Sequence, residues 1–162
     1  MSLWRQALGL AGLLLILDQG TKALIRESLA LGARIDLTPF FALVHAENRG
    51  AAFSFLAGAS GWQRWFFLAL AGGFTLWVLR ELRALGAEQR ALALTYGALL
   101  GGALGNALDR AASGAVTDFL LFHWQNHYFP AFNVADSALT VAVVALMLLW
   151  WRDGYNTPAE DS

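Results

Sequence analysis

The feature that most constrains this chain is a set of four apolar runs, each near the ~20 residues a helix needs to cross ~30 Å of hydrocarbon. They lie at about 4–25, 62–79, 91–108 and 132–151. The last carries a single charge, Asp136, and Asp118 follows closely after the third. Composition agrees with the runs: hydrophobic residues make up 57% of 162 and charged residues only 14%. Soluble domains carry about 25% charged residues. With mean hydropathy +0.49, the expectation is an all-α membrane protein with four transmembrane helices, forming a single integral domain over 1–162. Net charge of −1 predicts no nucleic-acid partner, and the absence of cysteine excludes disulfides and thiolate chemistry. Asp18 and Lys22 continue the pattern of the first run, so it reads as a retained helix rather than a cleaved secretory signal.

Arginines near the span ends set the orientation. Arg80, Arg83 and Arg90 crowd the second loop, Arg5 and Arg152 flank the termini, and the stretch 111–131 has no Lys or Arg. Positive-inside logic puts both termini in the cytoplasm and the first and third loops outside. The outer loop 28–61 is more than a linker. Ile35 to His45 and Phe53 to Leu56 are apolar, and Asn48-Arg49-Gly50 between them has turn chemistry. A small extracytoplasmic β-sheet or hairpin is expected there, with Leu120 to Phe132 joining it. The tail 152–162 is polar and expected to fray. Gly97, Gly101 and Gly105, at four-residue spacing, predict a smooth helix stripe for close packing.

Depth brings the polar residues together. At about 1.5 Å per residue, Asp18, Asn106 and Asp136 all fall in one outer layer, ~21–24 Å from the inner side. Helical spacing pairs Asp18 with Lys22, Asn106 with Arg110, and Asn133 with Asp136. A self-neutralised Asp18–Lys22 pair with its lysine snorkelling outward competes with a role in supporting a site. An Asp109–Arg110 ion pair at a helix end is the structural alternative to direct catalysis.

The serines lack a nucleophile motif. His123 and His127 stand four apart, but the glutamate of HExxH is missing, so no metal is expected. The aspartates remain. Two carboxyls a few ångströms apart cannot both ionise, and such a pair activates water without metal or cofactor. Asn106 and Asn133 are placed to hold it. A proton-coupled transporter and a non-catalytic scaffold are the competing classes. A different intramembrane aspartic protease is the nearest alternative enzyme.

Several stretches resemble the lipoprotein signal peptidases, or signal peptidase II: Leu17-Asp18-Gln19-Gly20-Thr21-Lys22, Asn48-Arg49-Gly50-Ala51-Ala52-Phe53, Gly105-Asn106-Ala107-Leu108-Asp109-Arg110, Val116-Thr117-Asp118-Phe119 and Phe132-Asn133-Val134-Ala135-Asp136-Ser137. Thr117 stands where a small aliphatic residue is usual. The resemblance implies an aspartic endopeptidase of the bacterial cytoplasmic membrane. Such enzymes cut the signal peptide from lipid-modified prolipoproteins before the diacylglyceryl-cysteine, near the extracytoplasmic face. It implies Asp118 and Asp136 as the catalytic pair, with Asp18, Asn48, Asn106, Arg110 and Asn133 supporting the site or contacting substrate. Lys22, Gly50, Asp109 and Ala135, in the same motifs, are grouped with them. It further implies a substrate among membrane lipids and inhibition by the cyclic peptide globomycin; the working unit is expected to be a monomer. Phe40, Phe41, Phe53 and Phe55 are expected to cover the scissile segment.

Overall fold

The computed structural model describes residues 2–50 and 62–155, with side chains to 152. In chain order the elements are α1 (Leu3–Ser28), β1 (Arg34–Thr38), β2 (Phe41–Asn48), α2 (Trp62–Ala84), α3 (Arg90–Ser113), β3 (Val116–Trp124), β4 (His127–Tyr128) and α4 (Val134–Tyr155). Four helices are long and apolar enough to span a membrane, one on each expected run. Phe53, Phe55 and the end of the tail lie outside the described residues.

Helix α3 is the axis, and α1, α2 and α4 pack around it. Its glycines explain why. A Cβ at Gly97 would stand 2.5 Å from the Ala7 carbonyl oxygen, and one at Gly101 2.8 Å from that of Ala11. The next pair serves other neighbours: a Cβ at Gly102 would meet the Ala135 carbonyl oxygen at 2.7 Å, and one at Gly105 the Asp18 carboxylate at 2.6 Å. The stripe thus seats α1 along the N-terminal part of α3 and the Asp18 and α4 contacts nearer its C-terminal end. Below the polar layer the core is Ala7, Ala11, Val78, Leu82, Tyr96, Leu99, Leu100, Ala142 and Leu146. Ile16, Leu24, Leu70, Leu76, Val141 and Met147 point outward and are exposed, as a lipid-facing surface requires.

The expected sheet is present, antiparallel, in the order β1-β2-β3-β4. Its register sets Ala46 opposite Asp118 and Asn48 opposite Val116. Asn48 and Asp118 are therefore diagonal neighbours on one face, within side-chain reach. The His45 ring lies 2.8 Å from the Leu29 carbonyl oxygen, and its backbone oxygen accepts from Gly32 N–H at 2.8 Å. Those contacts fix the sheet on the end of α1.

The hairpin between β1 and β2 reverses over Pro39 and Phe40; the turn expected at Asn48-Arg49-Gly50 leads toward Phe53 to Leu56, which lie outside the described residues. Proline presets φ for a turn, whereas Asn48 spends its side-chain oxygen on Gly50 N–H at 2.9 Å and closes the end of β2. Gly50 sits at φ +97, as that closure needs, and a Cβ there would meet the Phe67 ring at 2.9 Å. His123 and His127, four apart in sequence, lie on the paired strands β3 and β4. Among the described residues no group of His and acidic side chains is arranged to hold a metal.

Candidate active site

The polar layer is built from five elements, β2 supplying Asn48. Helix α1 supplies Asp18, Gln19, Lys22 and Arg26, and α3 supplies Asn106, Asp109 and Arg110. Strand β3 supplies Asp118, and the start of α4 supplies Asn133, Ala135 and Asp136. Helix α3 carries Asp109 and Arg110 inside it because it runs on to Ser113. There Gly114, at φ +79, ends it with its N–H on the Arg110 carbonyl. The chain then turns directly into β3, so Asp118 arrives beside the helix that carries Asn106.

Two subsites are distinct within the layer. The first is an ionic bolt. Lys22 is fully buried and places its ammonium 2.7 Å from Asp18 Oδ2 and 3.1 Å from Asp109 Oδ2. It also donates to Asn106 Oδ1 at 3.1 Å. Arg26 lies 3.5 Å from Asp109 Oδ1, so two cations face two carboxylates. Asp18 Oδ1 accepts the backbone N–H of Ala135 at 2.8 Å, which ties α1 to α4. Asp109 Oδ2 accepts the Thr117 N–H at 3.1 Å, which ties α3 to β3. The lysine therefore points into the protein and does not snorkel. Asp109 pairs with Lys22 and Arg26, not with its neighbour Arg110. Adjacent residues on a helix point about 100° apart, and the Arg110 guanidinium stacks over the Phe67 ring, 4.7 Å from its centroid.

The second subsite holds Asp118 and Asp136. Asp118 is 2% exposed; its Oδ2 accepts from Asn48 Nδ2 at 3.0 Å and its Oδ1 from Asn133 Nδ2 at 2.7 Å. Asp136 Oδ1 accepts from Asn106 Nδ2 at 2.7 Å, and its Oδ2 from the Asn133 backbone N–H at 3.3 Å. Asn133 also caps α4, its Oδ1 taking the Asp136 N–H at 2.9 Å. This is a reciprocal capping box with aspartate in the acidic position. One asparagine thus holds both carboxyls: its amide nitrogen grips Asp118 while its oxygen and backbone fix Asp136. Neither aspartate forms an ion pair with a described residue. Burial raises the Asp118 pKa from 3.8 to about 6, the charge of Asp136 adds to the rise, and the Asn48 and Asn133 amides oppose it.

All the expected site residues are therefore placed. Asp118, Asp136, Asn48, Asn106 and Asn133 meet at the carboxyl pair, and Asp18, Lys22, Asp109 and Ala135 form the bolt behind it. Gly50 shapes the turn that presents Asn48, and Arg110 lies one helical turn along from Asn106. Two further participants, Gln19 and Arg26, carry no role in the sequence reading. Gln19 donates to Asp18 Oδ2 at 3.1 Å, to the Gly105 carbonyl at 3.1 Å and to Asp109 Oδ1 at 3.3 Å. Arg26 donates to Thr117 Oγ1 at 3.1 Å. Gln19 and Arg26 are three before and four after Lys22, a helical spacing that signals one polar helix face.

Comparison with known proteins gives this geometry its context. A family model described as signal peptidase (SPase) II matches residues 10–152. The lipoprotein signal peptidase of Burkholderia ambifaria (strain MC40-6) is 51% identical over 140 residues, covering 86% of this chain and 84% of that one. The lipoprotein signal peptidase of Yersinia enterocolitica is 43% identical over 153 residues, covering 94% and 88%. A solved bacterial membrane enzyme, determined by the in meso method, superposes with TM-score 0.82 at 26% identity, over 97% of this chain and 94% of that one. A second such structure gives 0.81 at 27% identity, over 91% and 94%. Similarity that runs from the first span to the fourth, and takes in both amide-held aspartates, means that the chain belongs to the signal peptidase II family.

Proposed function

We propose that this multi-pass membrane protein is an aspartic endopeptidase. It cleaves the signal peptide from lipid-modified bacterial prolipoproteins just before the diacylglyceryl-cysteine. The observation that carries the reading is a pair of carboxyls from separate elements, held by amides alone and joined through Asn133. Carboxyls so held can change charge without breaking an ion pair. Asp118, with its pKa raised to about 6, is the proton-bearing partner, and Asp136 is the base.

In the first half-reaction Asp136 takes a proton from water as the water oxygen bonds to the scissile carbonyl carbon. Asp118 gives its proton to the carbonyl oxygen, leaving a neutral tetrahedral diol. In the second, Asp136 returns its proton to the leaving nitrogen as the C–N bond breaks, and a diol hydroxyl reprotonates Asp118. The pair ends as it began, with one proton and no covalent intermediate. Asn106 and Asn48 keep the carboxyl planes fixed through both halves, and Arg110, Gly50 and the sheet edge face the peptide. Phe40 contributes an exposed ring on the sheet.

The arginine distribution supports a bacterial cytoplasmic-membrane protein with both termini inside and the site near the outer face. That is the depth at which a diacylglyceryl group reaches the peptide bond. The protein works as a monomer and is inhibited by globomycin in this reading. Cleavage of a lipid-modified prolipoprotein in detergent tests it, with wild type, Asp118→Asn and Asp136→Asn compared. Both variants are expected to stay folded and lose turnover. Full activity in either would remove that residue from the mechanism.

A further inference from the structure

At the end of the helices opposite the aspartates, an open cleft of about 630 Å³ runs between α1 and α3. Arg5 and Arg90 stand at its rim, and Gly9, Leu10, Leu13 and Leu94 line the rest. The order along each helix is the same: a cation at the end, then apolar surface toward the membrane interior. Arg5, Gly9 and Leu13 are successive four-residue steps on one face of α1, as Arg90 and Leu94 are on α3. Gly9 leaves a notch, since a Cβ there would meet nothing within 4 Å.

The rim is positive and only partly satisfied. Arg5 is exposed and forms no hydrogen bond or ion pair with a described residue. Arg90 donates through Nε to Gln6 Oε1 at 2.8 Å, which holds the guanidinium across the helix junction. Around them Arg80 and Arg83 outnumber the nearby acids Glu81 and Glu88 together with the two rim cations. A guanidinium pair above an apolar groove matches one kind of molecule in a membrane: a phosphodiester joined to an acyl chain.

We infer that this cleft binds an anionic phospholipid, its phosphate between Arg5 and Arg90 and an acyl chain laid over Gly9 between Leu13 and Leu94. A free phosphate would use the rim and have no need of the groove. The inference rests on the chain's being embedded in a membrane and is independent of the peptidase chemistry, because no rim residue belongs to the carboxyl layer.

The test is lipid titration of the purified protein in neutral detergent, with bound lipid counted by native mass spectrometry. Phosphatidylglycerol, phosphatidylcholine with the same chains, and water-soluble glycerol phosphate are the probes. Phosphatidylglycerol is expected to bind tightest. Arg5→Gln and Arg90→Gln are each expected to weaken it about fivefold, near 1 kcal/mol per arginine. Gly9→Leu fills the notch without touching charge, and is expected to weaken phosphatidylglycerol while leaving glycerol phosphate unchanged. Equal binding of the two lipids would overturn the inference. So would unchanged binding by both arginine variants, or glycerol phosphate binding as tightly as phosphatidylglycerol.

Discussion

Asp18 and Asp118 are both buried in one polar layer, 0% and 2% exposed, yet they are held in opposite ways. Asp18 faces the Lys22 ammonium at 2.7 Å, and its neighbour Asp109 shares that lysine and Arg26. Asp118 and Asp136 face amide donors. A cation fixes a carboxylate in its charged form, because removing either charge strands the other in a dry interior. An amide stabilises the anion less and leaves protonation within reach. The first region is therefore a bolt between α1, α3 and α4, and the second is the pair that trades a proton in the proposed mechanism.

The largest break in that comparison is on activity. Asp118→Asn and Asp136→Asn are each expected to lower kcat by about 10³-fold or more, near 4 kcal/mol, with little loss of thermal stability. Lys22→Met should do the reverse and unfold the layer, costing about 3–5 kcal/mol because Asp18 and Asp109 lose their shared partner. Thermal unfolding in detergent checks it, and a midpoint like that of wild type would show that the bolt is not structural. Gly105→Ala should cost about 1–3 kcal/mol through overpacking, since its Cβ would stand 2.6 Å from the Asp18 carboxylate. The smallest effect is on pH. The activity of the free enzyme should fall as pH rises through about 6, where Asp118 loses its proton. Asn48→Ala removes a hydrogen bond that lowers this pKa, so the falling limb should move to higher pH.

Stability carries the same sign. The folded pKa of Asp118, about 6, lies above the ordinary 3.8, so the folded chain binds this proton more tightly than the unfolded one. The group's contribution is most favourable below about pH 4 and is lost as pH rises through 6.

What the sequence made legible follows from periodicity and depth. Four apolar runs and the 1.5 Å rise of a helix were enough to put Asp18, Asn106 and Asp136 in one layer, and the four-residue glycine spacing announced the close packing of α3. The apolar character of 35–45 and 120–132 was enough for a sheet. Partner choice was not legible. Asp109 and Arg110 are adjacent in sequence, but only the crossing of α1 over α3 delivers Lys22 and Arg26 to Asp109. Asn48-Arg49-Gly50 shows its turn chemistry in the sequence, but not that the turn presents the Asn48 amide to Asp118. The double grip of Asn133 depends on the antiparallel bridge of Phe132 to Leu120, and the Asn48 contact on a register with Ala46 opposite Asp118; no local pattern encodes either.

Infrared titration of the purified protein reads the proton on these carboxyls directly. A protonated-carboxyl carbonyl band that disappears as pH rises through about 6, and is absent from Asp118→Asn, is the expected result. A band that survives in Asp118→Asn, or no protonated carboxyl above pH 5, would contradict the division between a pinned pair and a proton-trading one.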